Sequence, residues 1–294
     1  MTSEGDVWTV GRLLSWTTDY LQKHGSASPR LDAEVLLAHV LDCKRIELYT
    51  SYDAAAAEDV RARYRELIKR RAAGTPVAYL VGHREFYSLD FEVTPDVLIP
   101  RPETEHLVVE ALDCAKQLAA HRDGHPLRIV DVGTGSGCVA VALARHFPAA
   151  SIVAVDISSA ALDVARRNVQ RHGLADRIEL VEGDLLDQIA PPVDMILSNP
   201  PYVTESEYAA LDPTVREHEP RLALVADQQG WGVIDRLLDQ ARTRLADQGY
   251  LLLEVSPMLA EQAADRIGNA WEIRKITKDL AGLPRVLTLQ RTGV

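Results

Sequence analysis

The chain is poor in cysteine and in aromatic side chains. Only three cysteines, Cys43, Cys114 and Cys138, stand among its 294 residues. Their number is odd and their spacing matches no metal-ligand pair, so neither a disulfide framework nor a metal site is expected, and a reducing cytoplasm is the simplest compartment. No apolar run reaches the ~18 residues that a membrane-spanning helix needs. The first ten residues carry Glu4 and Asp6 and no basic stretch, so they do not read as a signal or transit peptide. Basic charge is short as well: 32 Lys and Arg against 43 Asp and Glu leave a net charge of −11. Non-specific binding to nucleic-acid phosphates needs a basic face, so this balance disfavours it. The nine histidines show no metal spacing; His121 and His125 are four apart, but Gly124 and Pro126 break any helix between them. Ser136 and Ser158 lack a His or Asp partner in sequence context, which argues against a hydrolase.

What is present is ordinary globular composition, with 47% hydrophobic and 26% charged residues. The length suggests about two domains. Residues 1–80 read as a small helical domain. Thr9 caps a helix with Val10, Leu13, Leu14, Thr17 and Leu21 on one face, and Ser28-Pro29 opens a second with Leu31, Val35, Leu36, Ala38 and Leu41 at helical spacing. A third runs from about Ala55 to Ala73 with Val60, Tyr64, Leu67 and Ile68 inward. Its Arg61, Arg63, Arg65, Lys69, Arg70 and Arg71 make either a solvated face or a docking surface for an RNA-associated partner. Residues 81–100 change to period two and read as a β-hairpin linker, stopped by Pro100-Arg101-Pro102. From 101 to 294, short apolar strands alternate with helices, ending in an antiparallel pair. That pattern predicts an α/β domain with a mostly parallel sheet covered on both faces.

Asp131-Val132-Gly133-Thr134-Gly135-Ser136-Gly137 follows the first apolar strand of this domain and opens a helix. Glycines there allow a tight turn and close backbone approach to a ligand at the carboxyl end of a strand. The dinucleotide fingerprint needs a further Gly where Cys138 stands, and no Lys-Ser/Thr pair marks a phosphate loop. Asp156 ends the second strand about 20 residues on, where a carboxylate accepts both hydroxyls of a ribose. A nucleoside without phosphates fits S-adenosylmethionine; the bland alternative is a βα turn with Asp156 as a helix cap. Asp184 is a candidate for the adenine amine or a surface loop acid, and Ile157 and Leu185 are candidate apolar walls for the ring.

Ser198-Asn199-Pro200-Pro201-Tyr202 ends the fourth strand. The prolines have no N–H, so the stretch offers acceptors and few donors. The Asn199 side-chain oxygen and the Pro200 carbonyl can both accept from one planar –NH₂ group, with Tyr202 stacked on it. An amide or aromatic amine is weakly nucleophilic. Two acceptors aimed at its hydrogens favour the partly positive nitrogen that forms as it attacks a sulfonium methyl. A proline-rich turn capping a strand is the bland alternative.

With these motifs in hand, the chain resembles the bacterial release factor glutamine methyltransferases, the HemK/PrmC family, over nearly its whole length. The matching stretches are Pro29 to Glu34, Leu98 to Glu105, Asp131 to Gly137, Asn199 to Tyr202, and Glu219-Pro220-Arg221-Leu222-Ala223-Leu224. The resemblance implies a class I S-adenosylmethionine-dependent methyltransferase: a Rossmann-like, mostly parallel seven-stranded sheet with the helical domain before it. It implies N5-methylation of the glutamine in the Gly-Gly-Gln loop of class-1 peptide release factors, with S-adenosylhomocysteine as product. Carried over by position, Gly133, Thr134, Gly135, Ser136, Gly137, Asp156, Ile157, Asp184, Leu185 and Asn199 would bind the cofactor. Asn199, Pro200 and Tyr202 would be catalytic. Asn199 to Tyr202 with Arg101 and Glu105 would hold the substrate, the Arg101–Glu105 segment covering the mouth of the site or simply starting a helix. Glu219 would orient the catalytic loop or serve as a turn acid. The protein is expected as a cytoplasmic monomer with no metal, no membrane and no direct nucleic-acid partner. Three positions depart from the family pattern: Ser88 where Gly is usual, Leu185 where an aromatic can stand, and Val255-Ser256-Pro257-Met258 after Glu254. The same loop serves adenine-N6 DNA methyltransferases, and methylation of a ribosomal-protein glutamine is a sister reading. A non-enzymatic binding protein would leave the acceptor-only loop unexplained.

Overall fold

The computed structural model describes residues 7–120, 125–268 and 270–292, so Glu4, Asp6, His121 and Gly124 lie outside the described residues. The chain divides into two compact units: Met1–Gly82 with Asp212–His218, and His83–Leu211 with Glu219–Val294. The hairpin, expected as a separate linker over 81–100, falls within the second unit. Residues 212–218, expected in the 101–294 domain, group with the first.

The first unit holds α1 (Val10–Lys23), α2 (Pro29–Leu41), α3 (Glu47–Thr50), α4 (Glu58–Ala72) and α5 (Val77–Val81). Thr9 caps α1 by accepting from the Arg12 N–H at 3.2 Å, and the expected face of Val10, Leu13, Leu14, Thr17 and Leu21 is buried. Helix α2 sits differently from its apolar spacing. Leu31, expected inward, is exposed, while Asp32 and Glu34 are buried. The reason is ion pairing. Asp32 takes the Arg71 Nε at 2.7 Å, and Glu34 accepts from Arg30 at 2.6 Å, from Arg45 at 2.7 Å and from the Tyr49 hydroxyl. A buried carboxylate persists only when paired in this way, and pairing overrides the rotation that Leu31 would choose. The basic face of α4 is largely matched by acids: Arg61 with Glu58, Arg63 with Asp59, Lys69 with Glu66, and Arg71 with Asp32.

The second unit opens with β1 (His83–Phe86) and β2 (Leu89–Glu92), then runs α6 (Glu105–Ala119), β3 (Leu127–Val132), α7 (Cys138–His146), β4 (Ala150–Asp156), α8 (Ser159–Arg171), β5 (Ile178–Glu182), β6 (Val193–Ser198), α9 (Glu205–Ala210), α11 (Gly232–Arg244), β7 (Leu245–Glu254), α12 (Pro257–Arg266), β8 (Trp271–Lys278) and β9 (Pro284–Arg291); the short α10 (Pro213–Arg216) belongs to the first unit. The seven-stranded sheet has the order β5-β4-β3-β6-β7-β9-β8. All pairs are parallel except those made by β9, as the sequence pattern predicts. Helices cover both faces, so β3 is buried apart from the half-buried Arg128. Its Leu127 and Ile129 join a core with α6 and α7, and its Val130 and Val132 join a core with α11 and α12. Among the described residues no helix is long and apolar enough to cross a membrane.

Two local features explain departures noted above. Ser256 accepts from the Leu259 N–H at 3.3 Å and Pro257 fills the first turn of α12, so Val255-Ser256-Pro257 is a built helix start. In the β1–β2 turn, Tyr87 and Ser88 both lie in the left-handed region, at φ +51° and +57°. Such a two-residue turn suits the twist of a hairpin but strains a side chain with a Cβ. Ser88→Gly is expected to stabilise the fold by about 0.5–1 kcal/mol. The measurement is the urea midpoint at unchanged slope; an unmoved or lowered midpoint refutes the strain.

Candidate active site

Strand order reverses between β3 and β6, and ligands of open α/β sheets bind in the crevice outside the carboxyl ends at such a point. Here the crevice is a cavity of about 240 Å³. The turn after β3 is pinned by the Gly133 and Thr134 N–H groups donating to the Val155 carbonyl at 2.8 and 2.9 Å. Gly133 and Gly135 lie at φ +71° and +55°, with nothing within 4 Å of where a Cβ would stand. The turn therefore presents bare backbone to open space. The Thr134 hydroxyl turns inward and donates to Asp131 at 2.7 Å. Asn168 of α8, fully buried, donates to the Ser136 carbonyl at 2.9 Å and binds both the N–H and the carbonyl of Glu92, tying the hairpin to the glycine turn.

Asp156 ends β4 with one oxygen accepting from the Gly135 N–H at 2.8 Å and the other from the Ser158 N–H at 3.0 Å. Burial nevertheless holds its pKa above the ordinary carboxylate value. Asp131 is likewise pushed up to about 6 by burial, against the bond from Thr134. Asp184 and Leu185 reach the cavity wall, but the Asp184 carboxylate is already paired with Arg236 at 2.5 Å.

Asn199 follows β6. Its Nδ2 donates to the Thr104 hydroxyl at 3.1 Å, which leaves Oδ1 as a free acceptor on the cavity wall. Asn199, Pro200 and Pro201 line this cavity on one side and a second, of about 70 Å³, on the other. Tyr202 and Glu254 belong to the second cavity. A Cβ on Gly230, at φ +90°, would meet the Tyr202 carbonyl at 2.5 Å, so only glycine allows the turn before α11 to pack against the loop.

Most residues singled out in the sequence do converge: Gly133, Thr134, Gly135, Ser136, Asp156, Ile157, Asp184, Leu185, Asn199, Pro200, Pro201 and Arg101 all line the larger cavity. Three do not. Gly137 packs on α8, its missing Cβ 3.3 Å from that of Ala165, so its role is close helix packing. Glu105, expected at the substrate, accepts from the Tyr87 N–H at 2.9 Å and holds the hairpin turn instead. Tyr202 sits behind the loop. Glu219, read as either loop-orienting or a turn acid, is buried and clamps the segment at the mouth, accepting from Arg101 at 2.5 Å and from the Ile99 N–H at 3.2 Å.

Sequence reasoning missed Thr104 and Glu254. Glu254 ends β7 beside Asn199, since Leu253 pairs with Ser198. It is 3% exposed, its Oε2 has no hydrogen-bond partner, and burial pushes its pKa up to about 7 against the pull of Arg285 and Arg101 nearby. The signal was an acid closing an apolar strand, the same signal that marked Asp156.

Known proteins agree with this architecture. The description "PrmC N-terminal domain" fits residues 12–82, and "Methyltransferase small domain" fits residues 110–223. A release factor glutamine methyltransferase of Rhodopirellula baltica is 50% identical over 295 residues, with 99% of each chain covered. One from Koribacter versatilis is 41% identical over 270 residues, covering 91% of this chain and 93% of that one. The solved hMettl16 catalytic domain, in complex with MAT2A 3′UTR hairpin 6, shares the fold alone: 17% identity, TM-score 0.53, covering 78% of this chain and 83% of that one. Sheet order, glycine turn and family match together define a class I methyltransferase. Identity of 50% across nearly the whole length then fixes the branch, and the chain belongs to the family of release factor glutamine methyltransferases.

A carboxyl group whose folded pKa is raised favours the fold while protonated. That contribution is full below pH 4.5 and is lost as pH rises through about 7 for Glu254. Glu254→Gln escapes the loss, so its stability relative to the unchanged chain should rise between pH 4.5 and 8 by about 3 kcal/mol. Denaturant unfolding at both pH values checks this, and a pH-independent difference refutes it.

Proposed function

We propose that this chain transfers the methyl group of S-adenosylmethionine to the N5 amide nitrogen of the glutamine in the Gly-Gly-Gln motif of class-1 peptide chain release factors. The observation that carries the reading is the Asn199 amide, whose nitrogen is engaged by Thr104 while its oxygen stays free at the crevice. The names of the relatives across the full length supply the substrate class. The reading implies a cytoplasmic monomer that meets a protein partner and no nucleic acid directly.

The residues present suit S-adenosylmethionine. The bare backbone at Gly133 and Gly135 leaves room for an extended ligand, and Asp156 offers spare lone pairs to two ribose hydroxyls. Ile157 and Leu185 would flank the adenine, with Asp184 reaching its amine only in competition with Arg236. When bound, S-adenosylmethionine supplies an electrophilic methyl on a sulfonium that departs as a neutral thioether. The chain's own part is electrostatic. Asn199 Oδ1 and the Pro200 carbonyl accept the two hydrogens of the glutamine amide. They stabilise positive charge as the nitrogen's lone pair leaves conjugation, and they fix the nitrogen in line with the methyl. Pro200 and Pro201 have no N–H to compete for those acceptors. Tyr202 supports the loop from the smaller cavity, and Arg101, held by Glu219, borders the mouth where the substrate loop enters.

Asn199→Ala is expected to lower turnover by about 100-fold or more with the fold intact, because one of two preorganised acceptors is lost; near-normal turnover sinks the mechanism. Asp156→Ala should weaken S-adenosylmethionine binding by about tenfold to a hundredfold in calorimetry. An unchanged dissociation constant refutes the ribose role. Substrate class is decided by incubating the chain with labelled S-adenosylmethionine and a release factor, ribosomal protein or DNA, then locating the label by mass spectrometry. Label on the Gly-Gly-Gln glutamine supports the reading, and label only on ribosomal protein or adenine overturns it.

A further inference from the structure

We propose that the turn between β8 and β9, which carries Leu280 and Leu283, is a docking surface for the folded body of the release factor whose glutamine enters the crevice. The inference rests on a release factor being the substrate, and it deepens that reading by giving that partner a second contact outside the crevice.

The position follows from strand direction. Strand β9 runs antiparallel to both β7 and β8, so the 279–283 turn leaves the sheet at the end where β7 stops at Glu254. Val286 pairs with Glu254, and the Val255 N–H donates to the Arg285 carbonyl at 2.9 Å. Strand β9 lies two places from β6, which leads into Asn199, a separation of about 10 Å. A folded domain of about 100 residues has a radius of gyration of about 13 Å. A protein that lowers a loop into the crevice therefore overhangs this turn.

The turn is apolar and firmly built. Leu280 is fully exposed and Leu283 is 43% exposed, and Met258, 40% exposed, follows β7 from the same end of the sheet. A single exposed leucine is ordinary; three large apolar side chains gathered where adjacent strands end mark an interaction surface. Asp279 holds the turn. One of its carboxylate oxygens accepts from the Ala281 and Leu283 N–H groups at 2.9 Å each, and the other from Arg285 Nε at 2.8 Å. Its own N–H donates to the Leu283 carbonyl at 2.9 Å, and the Gly282 N–H donates to the Asp279 carbonyl at 2.9 Å. The leucines are thus displayed on backbone that is already ordered, which removes part of the entropy cost of binding. The occupant is the substrate protein and not a second copy joined edge to edge. Strand β8 exposes Glu272, Arg274, Lys275 and Lys278 at the free edge of the sheet, and such charges oppose strand pairing.

The test uses the full chain and a purified class-1 release factor. Leu280→Ser is expected to raise both the KM for the factor and its dissociation constant by about tenfold. Turnover at saturating factor, S-adenosylmethionine affinity and the urea midpoint should stay unchanged, because the side chain is fully exposed. Asp279→Ala, which frees the turn but keeps both leucines, should raise KM in the same direction by a smaller factor. An unchanged KM and dissociation constant in Leu280→Ser overturn the proposal, and so does a loss confined to kcat. A chain that sediments as a dimer until Leu280 is replaced assigns the turn to a second copy and also overturns it. Failure of the functional reading is a separate outcome, in which the glutamine of the factor stays unmethylated. Calorimetry of the factor with the unchanged chain and with Leu280→Ser then still decides the docking surface, and absence of any binding overturns it.

Discussion

The site depends on one topological constraint: β4 and β6 flank β3 on opposite sides, so the connections after β3 and β6 lead away from each other. The carboxyl ends of these strands are left uncovered, and most of the polar groups at the crevice are delivered there by strand ends. The glycine turn follows β3, Asp156 closes β4, Asn199 follows β6 and Glu254 closes β7. The strands behind these ends are buried on both faces and cannot shift register without exposing apolar side chains to a charged layer. That rigidity is what lets four separate loops hold a common geometry.

The polar layer at the strand ends carries charges in a largely dry environment, and each acid meets the cost differently. Asp156 is relieved by two backbone N–H groups, Asp131 by the Thr134 hydroxyl, and Glu219 by Arg101 and a backbone N–H. Glu254 alone of these keeps an oxygen without a partner. An unsatisfied buried carboxyl is a cost to folding.

Much of this was legible in the order of residues. Strand-turn-helix spacing marked the glycine turn, Asp156 and the Asn-Pro-Pro-Tyr loop, and all three line or border the crevice. The errors arise where a residue has two good local uses. Glu105 suits a mouth segment and equally suits the Tyr87 N–H that waits for an acceptor. Gly137 reads as part of a ligand cradle, but α8 passes close enough to require it for packing. Leu31 has the helical spacing of a core residue, yet the ion pairs of Asp32 and Glu34 rotate α2 away from it. Each outcome is set by a partner distant in sequence.

The sequence by itself determined the alternation of strands and helices, the turn chemistry at each strand end and the acceptor-only character of the catalytic loop, because these follow from periodicity and from what Gly and Pro permit locally. Only the tertiary structure decided which way the Asn199 amide faces. That depends on Thr104, 95 residues away. An amide has a donor end and an acceptor end, and which end faces the crevice is fixed by a partner that no local pattern can supply.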